Sequence, residues 1–200
     1  MRIFVGISGA SGSIYGGRLL RALSETGHEV TVCISDGAIE VMRLEEELAL
    51  PREAVRDEVA GSFLSRYGLE SADLSLVSAD DMASTFASGS SLAGAAVICP
   101  CSMSTLGCVA AGVTRNLIHR VADVMLKEAR PLVLVPRETP LSEIHLRNLL
   151  AVRRAGAFVV PAMPGFYHHP ATIEDMVDFV VGKVLDALKI PNELFERWNR

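Results

Sequence analysis

Hydrophobic residues in this chain fall into short continuous runs, and amphipathic stretches separate them. Arg2 to Ile7, Glu29 to Ile34, Ala95 to Cys99, Pro131 to Val135 and Ala157 to Val160 are each four to six residues long and rich in Val, Ile and Leu. Runs of that length bounded by turn residues predict strands buried on both faces. Between them the pattern changes to a helical repeat. It predicts helices over Tyr15–Thr26 (closing at Gly27), Gly37–Glu47 (ending before Pro51), Met103–Ala111, His119–Glu128, Ser142–Ala155 (closing at Gly156) and Thr172–Leu188. Strands that alternate with helices give a mostly parallel sheet covered on both sides. The fold class is therefore α/β, a three-layer αβα Rossmann-like or flavodoxin-like domain. The stretch from Ala49 to Phe86 mixes both signals and carries much of the acidic charge. No internal repeat, low-complexity tract or linker divides the chain, so residues 1–200 are expected to form one domain.

Composition narrows the possible functions. Of 200 residues, 50% are hydrophobic and 22% charged, ample for a buried core. Mean hydropathy is positive, at +0.32, as expected where part of the apolar surface is covered between subunits. The formal charge of -5 and the lack of a long basic run argue against nucleic acid as a partner. No stretch is apolar for long enough to span a bilayer, and the N-terminal run leads into a glycine-rich turn without a cleavage pattern. The expected location is the cytoplasm. Cys33, Cys99, Cys101 and Cys108 lack the C-x-x-C spacing of a zinc site and read as small buried hydrophobes. His168 and His169 are adjacent and cannot share a helix face as a metal pair would, so no metal site is expected.

In parallel α/β sheets ligands bind beyond the carboxyl ends of the strands. The first such turn reads Gly6-Ile7-Ser8-Gly9-Ala10-Ser11-Gly12-Ser13. Small residues there let backbone N–H groups and hydroxyls approach a phosphate at the start of the next helix. The turn has neither the G-x-G-x-x-G spacing of dinucleotide folds nor the G-K-[ST] ending of a P-loop, so it suits a monophosphate such as that of FMN. A plain tight turn gives the same pattern. Ser35, after the second strand, reads as a helix N-cap and a second phosphate contact. Ser102 caps the helix that follows Cys99-Pro100-Cys101, exposing the N–H groups of Met103, Ser104 and Thr105. The loop Ala87-Ser88-Gly89-Ser90-Ser91 precedes the Ala95 strand. Arg120 and Lys127, seven apart, share one helical face. Arg137 and Glu138 stand between Pro136 and Pro140 at the end of a strand, where this fold class places chemistry. The stretch Pro161 to Pro170, with its prolines, Phe166 and Tyr167, is a stiff wall suited to a planar or prenyl ligand.

Taken in order, G-x-S-G-A-S-G, A-S-G-S, P-C-S-M-S-T, N-L-I-x-R-x-A-D-V-x-L-K-E, L-V-L-V-P-R-E-T-P and P-A-M-P-G-F-Y resemble the UbiX-like flavin prenyltransferases. The match runs from Val5 to about Trp198, and the L-K-E and P-R-E-T-P stretches are its most specific parts. The resemblance implies a homo-oligomer, usually a dodecamer, with sites between subunits. It implies transfer of dimethylallyl from its monophosphate to N5 and C6 of reduced FMN, and delivery of prenylated FMN to a UbiD-like decarboxylase. Carried over by motif, Gly9, Ala10, Ser11, Ser35, Ser102, Met103, Ser104, Thr105 and Arg137 would bind FMN. Ser88, Arg120, Lys127, Arg137, Glu138, Tyr167, Lys183 and Trp198 would surround the prenyl phosphate, and Ser11, Glu45 and Glu138 would be catalytic. Lys127, Arg137 and Lys183 would supply the charge that many prenyl transferases take from Mg²⁺ held by D-D-x-x-D, a pattern that Asp80 and Asp81 do not complete. Two departures stand out. Asp80-Asp81-Met82 lies where many relatives carry a tryptophan, and Lys183 replaces a common arginine, losing a bidentate fork. Two rivals remain. An FMN-dependent decarboxylase of the wider flavoprotein group would need a catalytic histidine and P-A-S-A-N-T. A non-catalytic FMN carrier would need the cradle but not Lys127, Glu138 and Tyr167.

Overall fold

Six strands pair side by side in the order β3-β2-β1-β4-β5-β6: β1 Arg2–Ile7, β2 Glu29–Ile34, β3 Leu74–Val77, β4 Ala95–Cys101, β5 Leu132–Pro136 and β6 Phe158–Val159. All five pairings are parallel, so the sheet goes beyond the mostly parallel expectation. The computed structural model describes residues 1–46, 48, 54–69, 74–90 and 93–198.

Alternation along the central strands divides the core in two. Ile3, Val5 and Ile7 of β1 and Val97 and Cys99 of β4 point to one face. There they meet α1 Ser13–Glu25, α2 Asp36–Glu45, α3 Arg56–Arg66 and α7 Ile173–Ala187. Phe4, Ala96 and Ile98 point to the other face, under α4 Met103–Ala111, α5 Leu117–Lys127 and α6 Glu143–Arg154. The period of two sends neighbouring residues to opposite layers, and burial of each large side chain is worth about 1.5–3 kcal/mol. Close approach requires glycine at position 6, where a Cβ would lie 2.9 Å from Ile118.

Where element bounds differ from the sequence pattern, tertiary partners account for it. Helix α1 begins at Ser13 rather than Tyr15, because Gly12 adopts a left-handed conformation and a carboxylate from α2 satisfies the first amides. Helix α5 begins at Leu117, capped by the Asn116 side chain on the His119 amide. β4 runs on to Cys101 through an irregular register between Ile98 and Cys101. β6 is only two residues long, against the four-residue run of its sequence. The ambiguous stretch holds α3, the short strand β3 and a 3₁₀ turn at Thr85–Ala87. Glu47, to which the pattern extended α2, and part of that stretch lie outside the described residues. Among the described residues no helix is long and apolar enough to cross a membrane.

Candidate active site

Successive strands are added outward on one side of β1, to β3, and then on the other side from β4 to β6, and this switch between β1 and β4 opens a crevice at their carboxyl ends. Three turns meet there. The buried Ser8 ties two of them together: its Oγ donates to the Pro100 carbonyl at 3.1 Å and accepts the Ser102 amide at 2.8 Å. Gly9 lies against the start of α2, where a Cβ would sit 2.9 Å from the Gly37 carbonyl carbon. Bare backbone thus lines this part of the crevice. Ser35 and Ser102 are N-caps as expected, accepting the Ala38 and Thr105 amides, each at 3.2 Å. The first-turn amides of Met103 and Ser104 have no helical carbonyl to bind. Thr105 differs from the expectation. It is buried behind the turn, its hydroxyl engaged by Ser102 Oγ at 3.2 Å and His119 Nε2 at 3.4 Å, so its side chain braces the cradle rather than lining it.

Arg137 follows β5 and donates from Nε to the Ser11 carbonyl at 3.1 Å, which fastens the guanidinium over the first turn. Glu138 is half-buried beside it and accepts the Thr139 amide at 3.0 Å. Glu45 reaches over from the last turn of α2. Its carboxylate accepts the Gly12 amide at 2.8 Å, the Ser13 amide at 3.2 Å and the Ser13 hydroxyl at 3.1 Å. Burial tends to raise the pKa of Glu45. Hydrogen bonds from the Ser11 side chain, the Gly12 and Ser13 amides and the Ser13 hydroxyl outweigh it, so the pKa is lowered. Glu45 is therefore a carboxylate at neutral pH, able to accept a proton.

Two further groups of expected site residues sit elsewhere. Helix α5 runs back along the sheet and ends at its amino edge, where Gly94 donates to the Arg2 carbonyl and Ala96 to that of Pro131. Lys127 is there, paired with Glu128 at 3.1 Å and packed against Gly89. Ser88 bonds Ser90 in the same loop at 2.8 Å. Arg120, two turns earlier, donates to the Ala87 carbonyl at 3.0 Å and to Asp123 at 2.7 Å. A strand's length, roughly 20 Å, separates Lys127 from the crevice. The other group lies along α7. The tail from Ile190 folds back over the helix, held by a bidentate Arg197–Asp186 pair at 2.6 and 2.8 Å. Trp198 meets the edge of Tyr167 at 5.1 Å, Tyr167 meets Phe179 at 5.7 Å, and Lys183 lies over Phe179 and Phe195. One chain therefore joins Ser11, Glu45, Arg137 and Glu138 at one crevice but does not bring Lys127 to them.

Sequence reasoning missed Ser8, Ser13 and a carboxylate next to Glu45. Glu46 is 4% exposed and takes hydrogen bonds from Ser13 Oγ at 2.5 Å and Tyr67 Oη at 3.1 Å, with Arg66 Nε at 3.2 Å. The signal was the run of three adjacent glutamates, Glu45 to Glu47, that begins in the last turn of α2. Their partners lay in the stretch whose pattern was mixed. Among the described residues no cluster of three or more His, Cys, Asp or Glu is placed to hold a metal ion.

Comparison with known proteins bears on this geometry. The Flavoprotein family model matches residues 1–185. The flavin prenyltransferase UbiX of Pseudomonas aeruginosa is 48% identical over 198 residues, covering 98% of this chain and 93% of its own. The chain belongs to the UbiX flavin prenyltransferase family. Among solved members of that family, AnUbiX (PadA1) in complex with FMN and dimethylallyl pyrophosphate superposes with a TM-score of 0.85 at 40% identity, covering 100% of this chain and 97% of its own. A dodecameric FMN-dependent Ubix-like decarboxylase from Escherichia coli O157:H7 gives 0.85 at 39% identity, with 100% of both chains covered. A UbiX family member needs a flavin cradle and a prenyl donor site, and the crevice between β1 and β4 has the chemistry of the first. Its amides, its hydroxyls and the Arg137 guanidinium suit a phosphate monoester.

Proposed function

We propose that this chain is a flavin prenyltransferase that moves a dimethylallyl group from dimethylallyl monophosphate to N5 and C6 of reduced FMN without a metal ion. Membership of the UbiX family supplies the enzyme class and the flavin substrate. The observation that carries the residue assignment is the convergence of Ser11, Glu45 and Arg137 at the β1–β4 crevice. Gly9, Ala10, Ser11, Ser35, Ser102, Met103, Ser104, Thr105 and Arg137 hold FMN, Thr105 from behind. Reduced FMN supplies the nucleophilic N5 and C6 positions.

The chain's own groups manage charge and protons. Lys127, Arg137 and Lys183 balance the charge that builds on the departing phosphate oxygen, with Arg120 beside them. Glu138 donates a proton to that oxygen, and Glu45, with Ser11, accepts the proton released at C6. Each proton transfer contributes roughly 10²–10⁴-fold. Ser88, Tyr167 and Trp198 wall the prenyl chain. Lys127 is a strand's length from the crevice of its own chain, so the complete site draws it from a neighbouring subunit. That arrangement supports a homo-oligomer, the dodecamer. Residues 1–200 act as one FMN-binding domain in the cytoplasm, and the product serves a UbiD-like decarboxylase.

The test is anaerobic incubation of the purified chain with reduced FMN and dimethylallyl monophosphate in the presence of a chelator, followed by mass analysis of the released flavin. A gain of one C5 unit is expected, faster than with the diphosphate. Unmodified flavin, with binding confirmed and both donors tried, overturns the assignment. A product that forms only after Mg²⁺ is added overturns the metal-independent part.

A further inference from the structure

The Ser13 hydroxyl lies between two carboxylates, 3.1 Å from Glu45 Oε2 and 2.5 Å from Glu46 Oε1. A serine hydroxyl has one hydrogen and two acceptor lone pairs, so Ser13 can donate to one carboxylate while receiving from the other. Glu45 faces the crevice. Glu46 is 4% exposed, and Ser13 is 2% exposed. A cavity of about 620 Å³ adjoins them, lined by both glutamates, Ser13, Arg66 and Tyr67.

We propose that Glu46 is the second station of a proton relay that clears Glu45 through Ser13. This rests on the assignment of Glu45 as the acceptor of the C6 proton. The transfer balances without a further reactant. Protonated Glu45 gives its hydrogen to Ser13 Oγ as Ser13 Oγ–H gives its own to Glu46 Oε1. Glu45 returns to carboxylate, Ser13 returns to hydroxyl, and Glu46 releases the proton to water in the cavity.

The surroundings suit a station that holds a proton only in passing. Tyr67 donates to Glu46, and burial followed by the charge of Glu46 raises the Tyr67 pKa, so the phenol stays a donor across the working range. Arg66 Nε stabilises the anion, and its Nη1 fixes the Glu46 carbonyl at 2.9 Å. Arg18 and Arg21 from α1 and Glu174 from α7 face the same cavity. Arg18 is tied to Asp178 at 2.6 Å and Arg21 to Glu25 at 3.0 Å, so their charges are largely answered by other carboxylates. Tyr67 also packs where a Cβ on Gly17 would lie 2.3 Å from its ring, which locks the far wall to α1.

The test compares Glu46→Gln, Glu46→Asp and Glu45→Gln in the full-length protein. Glutamine still accepts from Ser13 and Tyr67 but cannot carry the proton, and aspartate can. Single-turnover and multiple-turnover prenylation are both followed against pH, and flavin affinity is measured separately. The relay predicts that Glu46→Gln binds flavin within about twofold of the parent, keeps the first turnover near the parent's rate, slows multiple turnover about tenfold or more and changes the pH profile of that slow phase. Glu46→Asp recovers part of the rate. A Glu46→Gln variant with the parent's multiple-turnover rate at every pH, or a rate lost together with flavin binding and not recovered by aspartate, overturns the relay. Glu45→Gln separates the two ideas. If it stays fully active, the acceptor role of Glu45 fails. If it is inactive while Glu46→Gln is not, only the relay fails.

Discussion

The carboxyl and amino edges of the sheet carry the two halves of one chemistry in different states of completion. At the carboxyl edge, Ser8, Ser11, Ser13, Glu45, Ser102 and Arg137 are cross-linked by hydrogen bonds within the chain. At the amino edge, Lys127 stands on the last turn of α5 with Glu128 and the Gly89 loop beside it. The first region is preorganised before any ligand arrives. The second presents a cation outward with nothing of the crevice near it. On the proposed assignment a single chain cradles the flavin phosphate and offers Arg137, whereas the charge of Lys127 comes from another subunit.

Changes that separate these halves should affect different constants. The largest effect is expected from Lys127→Ala, which removes charge stabilisation from the prenyl donor site but not from the cradle. Prenyl transfer should fall by about 10²–10³-fold while flavin affinity stays within twofold, measured by single-turnover mass analysis and flavin titration. Equal loss of both would merge the two regions. Gly9→Ala should do the opposite. Its Cβ would meet the Gly37 backbone at 2.9 Å, so the two turns must part. Flavin should bind about tenfold more weakly, or about 1.4 kcal/mol, by fluorescence quenching titration.

A smaller effect concerns the tail. Hydrogen bonds from Arg197, opposed by partial burial and aided by Asn192, lower the Asp186 pKa. A carboxylate with a depressed folded pKa adds stability above its ordinary pKa near 4, and that contribution is lost as pH falls through the folded value. The latch should hold at neutral pH and open only in acid. Trp198 is the only tryptophan and is held against Tyr167, so its emission anisotropy should shift downward as pH drops below about 4, and at neutral pH in Arg197→Ala. No shift in either case would place Trp198 independently of the latch. The smallest effect is on thiols. Burial pushes Cys33 and Cys101 up to about 12 and raises Cys99 too, so at pH 8 a thiol reagent should label half-buried Cys108 first. Rapid labelling of Cys99 or Cys101 would mean that the β4 end of the cradle opens.

Much of the carboxyl edge was legible in the sequence because its signals are local. A buried strand followed at once by Ser-rich or Arg-Glu chemistry identifies a ligand edge, and the caps at Ser35 and Ser102 need only their own helices. The amino edge was legible only in part. The seven-residue spacing of Arg120 and Lys127 puts them on one helix face, but which end of the sheet that face reaches depends on how α5 returns to β5. The Glu46 network was not legible. Its partners Arg66 and Tyr67 come about twenty residues later, at the C-terminal end of a short helix with few buried positions, Val59, Ala60, Phe63 and Leu64. Thr105 was read as offering a free amide, but the Ser102 cap takes that amide, and the burial of its side chain against His119 depends on a contact between two helices that spacing does not encode.

The most direct test of a site shared between subunits is complementation between two variants, each defective in a different half. Lys127→Ala and Glu138→Gln are co-expressed, mixed oligomers are verified by native mass spectrometry, and prenylated flavin is measured against each variant alone. Sites that take Lys127 from one chain and Glu138 from another predict that the mixed oligomers regain activity that neither parent has. Mixed oligomers that form but remain as inactive as their parents would mean that both residues serve a site within one chain, contrary to the separation of the two edges.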